Sequence, residues 1–592
     1  MKANLYTGVL CVMMLGSFSR VTAQDDKHLN REMTLEREYD PSVQDASKIN
    51  SLPAVKEPVI RKSPIGYADF TLPVEPQKEL GILSSGRVMT DLPYNKRRGY
   101  LNFGGGNYLN LNGDAGYHIL NTDKDRLRIS FSHRSTNGKI KLLVPDGEPS
   151  VKSKAKLNEN LGGIDFTHEF EKVALLMEAK YGYSAFNYYG YYPGMESGSD
   201  TGKNQANQQV FFKAGVESKK SETFNYLLEA EYRNFSHKYG LSADYHGVKE
   251  NAVGVSFDVN ADFDGNKRVG LAGKVDYLGY TFPSAQKNLF TGFNNHAEIT
   301  VTPYFALSDD NWKLKLGVNA MLITGEEKKF FVSPNVQAEV GVGDATVLYA
   351  DLSGRINANS VYDVSLQNRY ANPVNAVMTS RTWLDGTVGI RSGVLPGFWF
   401  DVFAGYNITD RNHFFIPSVS LYAPYSTLAA SAPAWKNVGN AAYTDSRVFR
   451  VGASLKYQYQ KLLDLKLKGV YNAWSVSDFD AINLPVSHGK PKAYNEPEFE
   501  LEAGIRVKPV DKVAVGLDYY LGAGRYTVLN TATWENVKMK NISELNLTGS
   551  YLFNDTFGIY LKVNNVLNRK YDLFYGYTAQ GFNAMLGVNI NF

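Results

Sequence analysis

The side chains able to do chemistry are scattered along this chain, not grouped. His28, His118, His133, His168, His237, His246, His296, His413 and His488 show no H-E-x-x-H spacing. Asp262-Phe263-Asp264-Gly265-Asn266 resembles the start of a calcium loop but lacks the remaining oxygen ligands at the required positions, and a hairpin turn accounts for it better. Gly104-Gly105-Gly106 leads into no helix, so it is read as a tight connection between strands and not as a phosphate cradle. Glu498, Glu500 and Glu502 fall on one face of an alternating segment. Lumen charge balanced by Arg506, Lys466 and Lys468 explains that row better than a paired-carboxylate acid–base site. The single cysteine, Cys11, lies in an N-terminal apolar stretch and offers no thiol chemistry or disulfide to the mature chain. These residues point to no enzyme, no catalytic residue, no metal and no cofactor.

Aromatic clusters are the remaining candidates. Tyr188, Tyr189, Tyr191 and Tyr192 crowd one long connection, and Tyr422, Tyr425 and Trp435 lie in the longest. Flat rings with polar handles suit contact with sugars, cofactors or protein partners. The competing reading, which carries more weight, is an external aromatic girdle or packing of loops against one another.

The elements that must position such residues are strands. Mean hydropathy is −0.31, yet the chain carries 39 Tyr, 32 Phe and 52 Gly. No run of about 20 apolar residues follows residue 24, which excludes helical membrane spans. Low hydropathy with abundant aromatics and glycine fits a wall in which every second residue meets lipid, and it also fits a soluble all-β protein. The 63 basic and 60 acidic side chains nearly cancel, leaving no footprint of nucleic-acid binding.

Residues 1–23 read as a secretory signal: Lys2, an apolar stretch from Tyr6 to Phe18, and Val21-Thr22-Ala23 before the cut. Residues 24–94 are charged and then proline-punctuated, and are expected to form a short, mostly extended periplasmic segment. From about Asn95 to Phe592 the texture is alternation. It is clearest at the end, where Phe582, Ala584, Leu586, Val588, Ile590 and Phe592 share one face and Asn583, Met585, Gly587, Asn589 and Asn591 the other.

Alternation alone does not separate a membrane barrel from a sandwich. The connections do. Tight polar turns recur at Asn121–Asp125, Glu171-Lys172, Ser218–Ser221, Asp264–Lys267, Ser308–Asn311, Gly341–Asp344, Leu395–Gly397, Gln460–Asp464, Lys508–Lys512 and Phe553–Thr556. Long connections lie between them, including 135–157, 184–206, 359–381, 407–446, 473–496 and 568–580. Short periplasmic turns alternating with long external loops are the habit of outer-membrane barrels. Ten turns join twenty strands. A first strand near Arg97–Phe103 and the terminal strand bring the expectation to about 22, an all-β, antiparallel transmembrane barrel.

The segment Asn565-Val566-Leu567-Asn568-Arg569-Lys570-Tyr571-Asp572, then Tyr575-Gly576-Tyr577, then the terminal strand through Phe592 resembles the C-terminal end of TonB-dependent outer-membrane receptors, in a style similar to Bacteroidetes proteins. The resemblance implies a 22-stranded barrel with uptake of a bulky solute across the outer membrane. It also implies an N-terminal plug, for which residues 24–94 are too short and poor in glycine and β-branched residues. The partners expected are outer-membrane lipid, the barrel-assembly machinery during insertion, and a surface lipoprotein or TonB-type periplasmic protein. The alternative function is a non-transporting barrel subunit that scaffolds a surface or assembly complex.

Overall fold

The computed structural model describes residues 97–144, 150–191, 204–219, 223–240, 246–263, 265–283, 293–325, 329–343, 345–375, 377–417, 437–477, 490–530 and 535–592. The expected signal peptide (1–23) and periplasmic segment (24–94) lie outside them. Twenty-two strands form one antiparallel sheet that closes on itself. Closure is made by the first strand, Gly99–Gly106, against the last, Asn583–Asn591. Each of the ten short turns read from the sequence joins consecutive strands of this barrel.

The alternation reads directly onto two walls. At the closing seam Leu101 stands opposite Ile590 and Phe103 opposite Val588, and the exposed side chains there are Leu101, Phe103, Leu586 and Phe592. The other face of the last strand is buried, with Asn583, Met585 and Asn589 turned inward. The inner wall carries ion pairs between neighbouring strands, such as Arg128–Asp165 at 2.8 Å and Lys213–Glu229 at 2.6 Å. Asp385 is shared by Arg355 at 2.9 Å and Arg450 at 2.5 Å. An apolar exterior and a charged interior are the reverse of a soluble sandwich. The acidic row lies in this pattern: Glu500 accepts from Asn472 at 3.2 Å and from the Tyr520 hydroxyl at 3.1 Å, and Glu502 stands opposite Lys468.

Two expectations are corrected. Gly104, Gly105 and Gly106 are not a connection; they end the first strand, and the turn is made by residues 107–109, where Tyr108 and Leu109 take left-handed backbone. The reason is close approach at the seam. A Cβ on Gly104 would stand 2.6 Å from the Tyr560 hydroxyl, and one on Gly587, its direct partner, 2.2 Å from the Tyr560 ring. One on Gly106 would meet the Ala584 carbonyl at 2.3 Å. Gly104 and Gly587 thus let a ring lie across the seam, and Gly106 lets the backbone of the last strand come close. The long connections are also shorter than read. The strand Asp125–Lys141 and its partner Lys152–Glu169 extend well into 135–157, and Phe398–Pro417 with Gly439–Tyr459 extend into 407–446. These strands run on beyond the apolar belt, where their side chains no longer alternate apolar with polar in the way a lipid-facing strand must.

The Asp262 segment is a turn: Asp262 pairs with Arg268 at 2.6 Å and Gly265 takes left-handed backbone. Gly587→Val should destabilise the closing seam by about 1–3 kcal/mol through overpacking against Tyr560. Gly549, whose Cβ would meet nothing within 4 Å, is the control. The temperature at which the folded, heat-modifiable gel band is lost should fall for Gly587→Val and hold for Gly549→Val.

Candidate functional site

The long-loop end of the barrel is built from the last loop outward. Asn565 and Asn568 take left-handed backbone, a conformation asparagine tolerates better than most residues. The buried Asn565 amide donates to the carbonyls of Arg569 at 2.7 Å and Gln580 at 3.1 Å, and its oxygen accepts from the Arg569 amide at 2.8 Å. One side chain therefore clamps both ends of the loop. Tyr571 is buried and its hydroxyl donates to the Glu544 carboxylate. Beyond it, Asp572–Phe574 pairs with Tyr577–Thr578 in a miniature hairpin. Asp572 accepts from the Thr578 hydroxyl at 2.7 Å and the Gly576 amide at 3.0 Å. Burial pushes its carboxyl up to about 6 against the pull of those donors and of Arg525.

Arg525 holds this hairpin from below. It is 2% exposed and donates to the carbonyls of Asp572 at 2.7 Å, Asn495 at 3.1 Å and Leu573. A guanidinium with five donors in a fixed fork is suited to gathering carbonyls from separate loops.

The tip of the hairpin carries Tyr577, whose ring stacks on Tyr370 with centroids 3.8 Å apart and planes 15° apart. Tyr189 stands edge-on to both, at 5.2 Å and 5.6 Å. The hydroxyls are also used: Tyr577 donates to the Asn437 carbonyl at 2.6 Å and Tyr189 to the Thr578 carbonyl at 2.9 Å. The Asn437 amide returns to the carbonyls of Tyr188 at 2.5 Å and Gly190 at 2.9 Å. Four separate loops thus meet in one buried aromatic knot that also takes in Phe186, Ile140 and Leu157. Of the sequence candidates, Tyr188 and Tyr189 are buried in this knot, and Tyr191 is packed against it. Tyr192, Tyr422, Tyr425 and Trp435 lie outside the described residues.

The Tyr370 loop does more than join the knot. It leaves the strand Thr346–Asn357, forms the helix Val361–Gln367, and reaches strands much earlier in the chain. Ser360 caps the helix in a reciprocal box with Asp363. The Val361 amide donates to Glu250 at 2.7 Å, Arg233 lies 4.3 Å over the Tyr362 ring, and Arg369 pairs with Glu159 at 2.8 Å. Arg134 pairs with the same carboxylate at 3.0 Å.

Between this helix and the inner wall is a pocket of about 390 Å³. Its polar lining includes Arg134, Glu159, Asn207, Gln209 and Arg369, and its apolar lining Phe235, Tyr362 and Leu366. Two guanidiniums sharing one carboxylate leave a net positive charge beside amides and rings. That surface suits a solute with anionic or hydroxyl groups and a partly apolar body. Sequence reasoning missed this trio. Arg134, Glu159 and Arg369 are separated by up to 235 residues, with no local spacing to mark them. Among the described residues no three metal-ligating side chains converge.

No protein-family model and no curated protein matches the sequence. Solved structures do match. The FrpB iron transporter from Neisseria meningitidis aligns with a TM-score of 0.62 at 11% identity, covering 84% of this chain and 82% of that one. The copper transporter OprC aligns at 0.57 and 12% identity, covering 84% and 80%. The ferripyoverdine receptor of the outer membrane of Pseudomonas aeruginosa, bound to ferripyoverdine, aligns at 0.57 and 13% identity, covering 84% and 72%. At such identities the likeness shows the fold: this chain has the barrel of outer-membrane receptors and transporters.

Proposed function

We propose that this chain is an outer-membrane barrel of the TonB-dependent-receptor type that takes up a bulky solute, with the short turns in the periplasm and the long loops outside. The observation that carries this is the positively charged pocket beneath a knot of loops, inside a barrel wide enough to leak if left open. The likeness to iron and copper transporters supports the same reading. A solute enters when the knot loosens, docks on Arg134 and the neighbouring amides, and passes along the charged inner wall. Residues 1–23 are the export signal, cleaved near Ala23, and residues 24–94 supply the periplasmic contact, with a TonB-type protein or a lipoprotein as partner. No step in this reading is catalytic. The terminal residues Phe582, Leu586, Val588, Ile590 and Phe592 form the insertion signal read by the assembly machinery.

One observation favours a scaffold instead. The knot is sealed by a buried arginine and by hydroxyls that are already spent on backbone carbonyls, which suits a permanently closed lid.

Conductance in planar bilayers separates the two. The intact protein should conduct little. Tyr577→Ala removes a buried ring worth about 3–5 kcal/mol and should produce large openings, as should deletion of residues 24–94 if that segment fills the lumen. A barrel silent in all three forms is a scaffold, and the transport reading falls. In the open Tyr577→Ala background, Arg134→Gln should lower anion-over-cation selectivity, read as a shift of reversal potential in a salt gradient. An unchanged potential would remove the pocket from the pathway.

A further inference from the structure

The hairpin formed by the upper ends of Asp125–Lys141 and Lys152–Glu169 has two unlike faces. One face, with Ile140, Leu142, Ala155 and Leu157, is buried in the aromatic knot. The other carries only lysine at its top: Lys139 stands directly opposite Lys154, and Lys141 directly opposite Lys152. All four are exposed, and Lys156 stands one row lower, opposite Asn137. Among the described residues none of the five has an ion-pair partner. Lys570 of the last loop stands near enough to Lys141 and Lys540 for both to lower its pKa, after burial as the larger cause. In sequence, residues 137–156 also hold Asp146 and Glu148, which leaves that stretch three charges positive.

Like charges directly opposite on a sheet destabilise it, and two such pairs in successive rows call for a counter-charge. Its height along the barrel says which. On the same outward face, Phe131 and Ile129 lie exposed lower down, and Ser135 stands opposite the exposed Leu111 of the neighbouring strand. The lysine rows run from two to six residues above Ser135, or about 7–20 Å along the strand at about 3.3 Å per residue, which for strands tilted about 40° is about 5–15 Å in height. A phospholipid headgroup layer is only about 5–8 Å deep, so the upper two rows would overshoot it. A lipid with a tall, phosphorylated sugar headgroup reaches them, and lysine is a good point-charge partner for phosphate.

We infer that the outward lysine face of the paired strand ends 137–141 and 152–156 is a docking surface for the phosphate groups of a phosphorylated glycolipid in the outer leaflet. This rests on the orientation proposed above, with the long loops outside. The surface would seat the knot-bearing hairpin on the membrane and so couple the lid to the lipid around it.

The test is binding of purified lipopolysaccharide to the full-length protein in neutral detergent, at several salt concentrations. The Lys139→Gln/Lys141→Gln/Lys152→Gln/Lys154→Gln variant should bind at least tenfold more weakly and with a shallower salt dependence. The intact protein should bind dephosphorylated lipopolysaccharide, or phosphatidylglycerol, no better than the variant binds the native lipid. Equal affinity of variant and intact protein overturns the inference, and so does equal binding of either control lipid. If the fourfold variant loses its heat-modifiable band, Lys141→Gln/Lys152→Gln carries the same comparison with a smaller expected loss of about threefold. Orientation is read separately. Cys11 is the only cysteine in the chain, so Lys139→Cys puts a single thiol on the mature barrel. Labelling by a membrane-impermeant maleimide on intact cells supports the long loops being outside. Absence of labelling sinks that orientation whatever the lipid result, whereas labelling without lipid preference sinks the docking surface alone.

Discussion

A barrel wall has no free edge, and every other feature of this protein follows from that requirement. A strand at the margin of a sheet leaves a row of N–H and C=O groups unpaired, which is intolerable in hydrocarbon. Here the two margins are Gly99–Gly106 and Asn583–Asn591, nearly the whole barrel apart in sequence, and they must meet in register. The hydrogen bonds between Gly99 and Phe592, at 2.8 Å and 2.9 Å, complete the ladder at the very end of the chain. The glycines of the first strand and Gly587 on the last let the two backbones close with Tyr560 lying over the seam. The sequence at both ends is shaped by this join: outward apolar side chains on alternate positions, and inward ones that are mostly glycine or asparagine.

A closed wall of 22 strands creates a second demand, because its interior is too wide for side chains to fill. The long-loop end answers it with a knot in which several buried polar groups are spent on backbone carbonyls of other loops. Tyr577, Tyr189 and Arg525 each combine burial with a hydrogen bond to backbone carbonyls of another loop. That combination is economical: rings and a guanidinium pack beside the aliphatic residues and satisfy loop carbonyls at the same time. The Tyr370 loop then carries this order inward, since the helix and Arg369 that follow from it define one side of the pocket.

The parts legible in the sequence are those whose cause is local. Period-two alternation near Phe592 and the polar turns such as Gln460–Asp464 are dictated within a few residues by lipid on one side and by a tight reversal of the chain. The asparagines of the Asn565–Asp572 segment are also local, because their left-handed backbone is a property of the turn they make. The parts not legible depend on residues far apart. Nothing near Glu159 says that Arg369 will arrive from across the barrel, and nothing near Tyr189 says that it will meet Tyr577 rather than a ligand.

The lysine hairpin shows a third case, a local pattern read against the wrong surroundings. Lys139-Ile140-Lys141-Leu142 and Lys152-Ser153-Lys154-Ala155-Lys156-Leu157 have the same period as the strands below them. Judged by a lipid-facing rule they look like loop, because their outward residues are charged. Above the apolar belt the rule changes: the outward face meets headgroups and water, and the inward face meets the knot, so apolar-in and charged-out is what a strand there requires. The backbone pairing continues through Lys141 and Lys152 without a break. Strand length in such a barrel is therefore set by how far the interior offers something to pack against. The thickness of the membrane sets only where the outward side chains change from apolar to charged.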